Sequence, residues 1–138
     1  MRPDPEVNRI LNERFGKDAL IALATTDRGR PEARYVDAYY EDGAFYIVTD
    51  ARSGKMRQIA EVPDVAVAGD WFTAHGRGVS LGPFRGAENR AIAEKLRQIF
   101  TWLDNGHSDP EDDNTVILRI DLTDAVLRAD GARYELEF

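Results

Sequence analysis

Thr49, Arg52, Ser53 and Lys55 sit together where an apolar segment gives way to a helix-forming one. The stretch from Phe45 to Gln58 reads as a short strand, a polar turn and the start of a helix. Unpaired N–H groups and the positive end of the helix dipole favour an anion at such a point. Two hydroxyls and two cations add hydrogen bonds and charge, which is the chemistry of a phosphate seat. The plainer alternative is a serine helix cap followed by an exposed lysine. The four residues alone leave both open.

The strand before it, Glu32 to Tyr40, carries a second candidate. Arg34, Val36, Ala38 and Tyr40 share one face, and Ala33, Tyr35, Asp37 and Tyr39 the other. Each mostly apolar face holds one charge, Arg34 or Asp37. Such a charge either pairs at a sheet edge or, for Arg34, meets the polar edge of a ligand over the sheet. Other chemistry is sparse. His75 and His107 lack ligand-spaced acidic partners and read as loop or sheet-edge residues, not a metal centre. Asp109, Glu111, Asp112 and Asp113 lack the glycine and closing glutamate of a calcium loop and read as a solvated turn. Gly76, Gly78 and Gly82 do not lead a strand into a helix, so they serve a bend and not a pyrophosphate. Trp71, Phe72 and Trp102 are expected in the core or an interface, with the border of a cofactor as the alternative. No residue stands out as catalytic.

Composition sets the outer limits. The 138 residues make one domain, with 43% hydrophobic and 31% charged side chains. The net charge of -7 opposes non-specific binding to nucleic acid or anionic membrane. A basic turn in an acidic chain is therefore not a by-product of composition. Cysteine is absent, which excludes disulfides and thiolate chemistry. No apolar run approaches ~20 residues and the N-terminus has no apolar signal core, so a cytoplasmic protein is expected.

The elements that must position these residues follow from periodicity. Asp4 and Pro5 start a helix whose apolar face is Val7, Ile10, Leu11 and Phe15, with Gly16 at its end. Ala19 to Thr25 reads as a strand buried on both sides. Turns at Asp27–Pro31 and Glu41–Gly43 flank the second strand, and Ala44 to Thr49 is the third. Met56, Ile59 and Ala60 line a short helix that stops before Pro63. Val65 to Ala68 is a strand, Gly76 to Arg85 a bent or bulged one. A single helix is expected from Glu88 to Leu103, and a last β region from Val116 to Phe138. Strands joined by short turns favour a mainly β, α+β fold: an antiparallel sheet or barrel with flanking helices.

The order Pro31-x-x-Arg34, Phe45-Tyr46-x-x-Thr49, Ser53-x-Lys55 and Pro63-x-Val65-Ala66 resembles the FMN-binding split-barrel family. That family includes pyridoxamine 5'-phosphate oxidase and small general-stress proteins similar to it. The resemblance covers Leu20 to Gly82 and, more weakly, the remainder. It implies a split antiparallel barrel, FMN as cofactor, and a homodimer with the cofactor at the subunit interface. It also implies the flavin phosphate at Thr49, Ser53 and Lys55, with Val48 and Arg52 beside them. Arg34, with Tyr35 and Val36 of the same strand, would meet the isoalloxazine ring, and Arg77 a polar flavin contact. Gly54 stands where the oxidase usually has an arginine, and Tyr39 where it has a lysine. The acidic tail from Ala132 to Phe138 lacks the oxidase's tryptophan-, arginine- and histidine-rich closing segment, which argues against that oxidase itself. A flavin-dependent oxidoreductase and a non-catalytic holder of flavin, a flavin-like cofactor or haem both stay open.

Overall fold

A computed structural model of the chain describes residues 1–106 and 108–138. His107, one of the two histidines considered above, lies outside the described residues.

Among the described residues, seven strands form one antiparallel sheet that closes on itself. They are β1 (Ala19–Asp27), β2 (Arg30–Glu41), β3 (Ala44–Asp50), β4 (Asp64–Gly69), β5 (Phe72–Pro83), β6 (Thr115–Ala129) and β7 (Ala132–Glu137). The order is β3-β2-β1-β4-β5-β6-β7, and β3 also pairs with the first half of β6, from Ala44↔Asp121 to Asp50↔Thr115. That pairing closes a six-stranded barrel. β7 extends the second half of β6, where β3 has ended. Three α-helices flank the barrel: α1 (Pro5–Phe15), α2 (Gly54–Glu61) and α3 (Arg90–Ile99). The mainly β, split-barrel architecture expected from the sequence is the one observed.

Local chemistry explains the connections. The Asp4 carboxylate accepts the Val7 N–H at 2.9 Å and caps α1. Three hairpins turn on Arg28-Gly29, Asp42-Gly43 and Asp130-Gly131, with positive φ at both central residues, as tight turns between twisted strands require. The last of these splits the expected single β region into β6 and β7.

Two apolar clusters organise the molecule. Inside the barrel, Phe15 of α1 packs against Phe45 and Phe72, with ring centroids 5.6 and 5.3 Å apart. At the opposite end of the inward rows, Met56 and Ile59 of α2 join the same core. α2 sits close because β5 carries Gly78; a Cβ there would lie 2.6 Å from Ile59 Cγ2. Outside the barrel, Val48 and Ile117 meet Phe84, Leu96, Phe100 and Leu103. The bent strand expected from Gly76 to Arg85 lies within β5, which starts earlier and ends at Pro83; it shifts register at His75/Gly76 and at Ser80/Pro83.

Two expectations are corrected. β1 is buried on one side only; Leu20 is 62% exposed, because no helix covers the outward row of this strand. The expected helix from Glu88 to Leu103 is broken. A 3₁₀ turn at Ala87–Asn89 leads into α3, which stops at Phe100, and a second 3₁₀ turn spans Thr101–Asp104. Phe100 and Leu103 still reach the same buried cluster as Leu96, because their i, i+4, i+7 spacing keeps them on one side across the break. Trp71, Phe72 and Trp102 have three different fates. Phe72 is core, Trp102 stacks on Phe100 with its N–H directed to Asp18, and Trp71 is 71% exposed.

Candidate functional site

The end of the barrel covered by α2 gathers polar groups that the rest of the interior lacks. The inward row of β1 passes from Ala19, Ile21 and Leu23 to Thr25, and that of β3 from Phe45 and Ile47 to Thr49. Arg34 follows Glu32 in the inward row of β2, ahead of Val36, Ala38 and Tyr40. Each row thus begins or ends in a polar residue at the same end, beneath the first turns of α2.

Arg34 is held by neutral acceptors. One guanidinium nitrogen donates to Leu23 O at 3.2 Å and Thr25 Oγ1 at 2.7 Å, and the other to Gln58 Oε1 at 3.1 Å. Thr25 and Gln58 are themselves buried, 2% and 6% exposed. Lys55, in the first turn of α2, lies near enough to Arg34 for the two charges to repel. Burial pushes the Lys55 ammonium below the ordinary lysine value, Arg34 pushes it further, and Asp50 only partly offsets them. Burial likewise lowers Arg34, against a weaker opposing effect of Glu32. Among the described residues, no carboxylate comes within ion-pair distance of either cation. Two partly buried cations that repel each other, without an ion-pair partner, make a place where an anion is stabilised.

The start of α2 adds donors. Ser53 precedes the helix without capping it; its hydroxyl is buried and has no hydrogen-bond partner. Buried hydroxyls are nearly always satisfied, so an orphan here suits an external acceptor. The first amides of the helix point the same way.

The other candidates divide. Arg52 is spent on Asp50, with Nε and Nη2 at 3.0 and 2.9 Å from the two carboxylate oxygens; the pairing holds Asp50 at about 2. Arg57, a further cation of α2, faces Asp27 at 3.6 Å. Val48 turns its side chain into the outer cluster and leaves only its backbone near the turn. Val36 belongs to the barrel core. Tyr35, 75% exposed, and Arg77, 3.8 Å from Asp64, lie on the outward face of the sheet, away from Arg34 and Lys55 within one chain. Tyr39 packs near Tyr46 and donates to Glu41.

Sequence reasoning missed Thr25 and Gln58. The available signal was a polar residue in line with an apolar row: Thr25 after Ile21 and Leu23, and Gln58 between Met56 and Ile59 on a short helix. No group of three or more metal-ligating side chains occurs among the described residues. His75 instead places Nδ1 2.8 Å from Asp124 Oδ1. Within the acidic loop, Asp109 and Asp112 accept backbone N–H bonds from Glu111 and Asn114, the geometry of a turn.

Gly54 at the head of α2 has room for a side chain. Within 4 Å of an added Cβ lies only Gln58 Nε2, at 3.6 Å, an ordinary contact. Gly54→Arg therefore places a third cation at the seat without displacing backbone. If the seat holds the FMN phosphate that the resemblance implies, the variant tightens FMN about 3- to 10-fold with little change for riboflavin, measured by fluorescence quenching.

The outward face of the sheet is unusually flat and small-chained. Register aligns Tyr35, Ala22, Ala68, Thr73 and Val126 in one row and Ala33, Ala24, Ala66, His75 and Asp124 in the next. All of these except Tyr35 line a groove of about 480 Å³. Leu20, Tyr35 and Trp71 stand exposed on this side, Trp71 with φ at 50° in the two-residue link between β4 and β5. No described helix is long and apolar enough to cross a membrane.

Comparison with curated proteins gave no match. Solved structures share the fold. General Stress Protein 26 from Bacillus anthracis superposes with a TM-score of 0.71 at 19% identity, over 95% of this chain and 99% of its own. An FAD-binding protein from Mesorhizobium loti gives 0.68 at 15% identity, over 85% and 90%. The haem storage protein HutZ from Vibrio cholerae gives 0.65 at 16% identity, over 88% and 91%. A family model described as Pyridoxamine 5'-phosphate oxidase matches residues 4–128, nearly the whole barrel and α1 to α3. The chain thus belongs to the pyridoxamine 5'-phosphate oxidase family.

Proposed function

We propose that this protein is a cytoplasmic FMN-binding, oxidoreductase-like member of its family, distinct in substrate from pyridoxamine 5'-phosphate oxidase. The observation that carries this reading is the pair Arg34 and Lys55, two partly buried cations without a carboxylate partner, beside the orphaned Ser53 hydroxyl. Two positive charges and several donors at a helix start suit the dianion of a phosphate monoester. In this reading Lys55, Ser53, Thr49 and the first amides of α2 hold the phosphate, while Arg34 sits where the phosphate and the rest of the cofactor meet. Bound FMN would supply the redox chemistry; the protein contributes binding, orientation and electrostatics. No side chain has to act as an acid or base, which suits a seat made of donors and cations.

The second copy enters through the outward face. A flat alanine floor bordered by Leu20, Tyr35 and Trp71 is an apolar patch that a monomer would leave wet. We place a homodimer there, with Tyr35 and Arg77 of each chain reaching the cofactor at the shared edge. Exposed Trp71 in a left-handed conformation, which disfavours bulky residues, fits a side chain fixed by contact.

The competing reading is a non-catalytic holder of flavin or haem. One observation favours the haem form: His75, steadied by Asp124, lines the alanine groove with its second ring nitrogen uncommitted. Reduction kinetics separate the readings. The FMN-loaded protein is mixed with NADH or NADPH without oxygen, and an acceptor is then added. Bleaching followed by rapid recovery is expected for the oxidoreductase; flavin that stays oxidised with both donors supports the holder. A His75-dependent haem spectrum, with no uptake of FMN, would replace the flavin reading.

A further inference from the structure

Gln58 does two things at once in the anion seat. Its side-chain oxygen accepts from Thr25 Oγ1 at 2.5 Å and from Arg34 Nη2 at 3.1 Å. The guanidinium can only donate, so its contact settles which end of the amide is oxygen. Nε2 is therefore turned the other way, toward the head of α2, where it is the closest atom to the space above Gly54. No acceptor among the described residues takes its hydrogens. Nε2 is not among the buried unpartnered atoms, so its hydrogens are open to solvent, or to a ligand, on this side.

The surroundings of Arg34 make the choice of an amide meaningful. Its three partners, Leu23 O, Thr25 and Gln58, are all neutral. They fix the guanidinium without cancelling its charge, whereas a carboxylate in place of Gln58 would form an ion pair and remove it. At the same time the amide offers hydrogen-bond donors beside Gly54 without adding a cation to Arg34 and Lys55, which already repel. The missing arginine of the turn is thereby offset by a neutral donor one helical turn further on.

We infer that Gln58 is a specificity-determining residue of this seat: its oxygen positions Arg34 with its charge unspent, and its NH₂ donates to a bound phosphate monoester. The inference rests on the FMN reading for the identity of the ester, but not for the anion itself. Thr25 is a positioning residue in the same arrangement, acting only through Gln58 and Arg34.

The test compares wild type with Gln58→Glu and Gln58→Met, both close in volume to glutamine. FMN and riboflavin affinities are read by fluorescence quenching, and melting temperature with and without inorganic phosphate. Gln58→Glu keeps an acceptor for Arg34 and Thr25 but neutralises the guanidinium and aims an oxygen at the anion. It should weaken FMN by about 30-fold or more, while riboflavin changes by less than about 3-fold. Gln58→Met should lose about 5- to 10-fold for FMN alone, the size of one or two neutral hydrogen bonds. Phosphate should raise the melting temperature of wild type and leave that of Gln58→Glu unchanged. If Gln58→Glu does not fold, Gln58→Met decides by the same FMN-to-riboflavin ratio. Variants that separate FMN from riboflavin as sharply as wild type, or equal stabilisation of wild type and Gln58→Glu by phosphate, overturn the inference. Absence of any phosphate effect on wild type overturns it as well. Stabilisation by phosphate without uptake of either flavin would instead leave the seat standing and remove the FMN reading.

Discussion

Lys55→Ala should cost about 10- to 100-fold in FMN affinity and leave riboflavin within about 3-fold of wild type. The asymmetry is the point of the experiment, because the two ligands differ only in the phosphate. Lys55 has no ion-pair partner among the described residues, so its removal breaks no internal contact of that kind. Instead it removes the repulsion with Arg34, and the free protein should become no less stable. Lost affinity therefore reports lost attraction to the anion and not a damaged fold. The same geometry sets a pH dependence. Burial and Arg34 lower the Lys55 pKa, so its charge is shed at a lower pH than that of an ordinary lysine. FMN binding should weaken as pH rises through that lowered value, and the weakening should vanish in Lys55→Ala. Equal loss for both flavins, measured by fluorescence quenching, would mean that Lys55 does not touch the phosphate.

The largest effect on stability is expected from Phe45→Ala. Phe45 is fully buried at the α1 end of β3, with ring centroids 5.6 Å from both Phe15 and Tyr40 and 6.2 Å from Phe72. Truncation leaves a cavity among large, rigid rings that cannot readily collapse into it. A loss of about 3–5 kcal/mol is expected, a drop of about 10–20 °C in melting temperature for a chain of this size. The consequence reaches the site through one strand. The inward row of β3 runs from Phe45 to Thr49, and the strand hands over to the turn that carries Ser53 and to α2 with Lys55. FMN affinity should nevertheless change little at temperatures where the variant stays folded, because the α2 end of the barrel has its own contacts through Ile59 and Gly78. A melting temperature within a few degrees of wild type would contradict this picture of the core.

Much of the fold could be read from the chain because its local signals agree. The Asp4-Pro5 start of α1, the glycine turns at Gly29 and Gly43 and the apolar rows of β1 and β3 all point to hairpins with a helix packed on them. Two features were not legible, for physical reasons. Periodicity reports that Leu20, Ala22 and Ala24 are small or apolar, but not whether a helix, solvent or a second subunit covers them. The continuous stripe from Ile92 to Leu103 hides the break at Phe100, since a 3₁₀ turn displaces side chains by only a fraction of a helical turn. The site was legible in its cations and hydroxyls and illegible in its supports. Arg34 and Lys55 stand 21 positions apart in the sequence, and nothing local predicts that they approach. Arg52 looked equivalent to Lys55, yet the neighbouring Asp50 neutralises it. Gln58 lies between Met56 and Ile59 on the buried side of α2, where a polar residue breaks the apolar pattern that marks a buried face.

The most direct measurement is a titration of the purified protein with FMN and, in parallel, with riboflavin, followed by fluorescence quenching and the visible flavin spectrum. A phosphate seat at Ser53 and Lys55 predicts saturable uptake of FMN with affinity at least about tenfold above that of riboflavin. A protein that stays colourless with FMN, or that binds the two flavins equally, would contradict it.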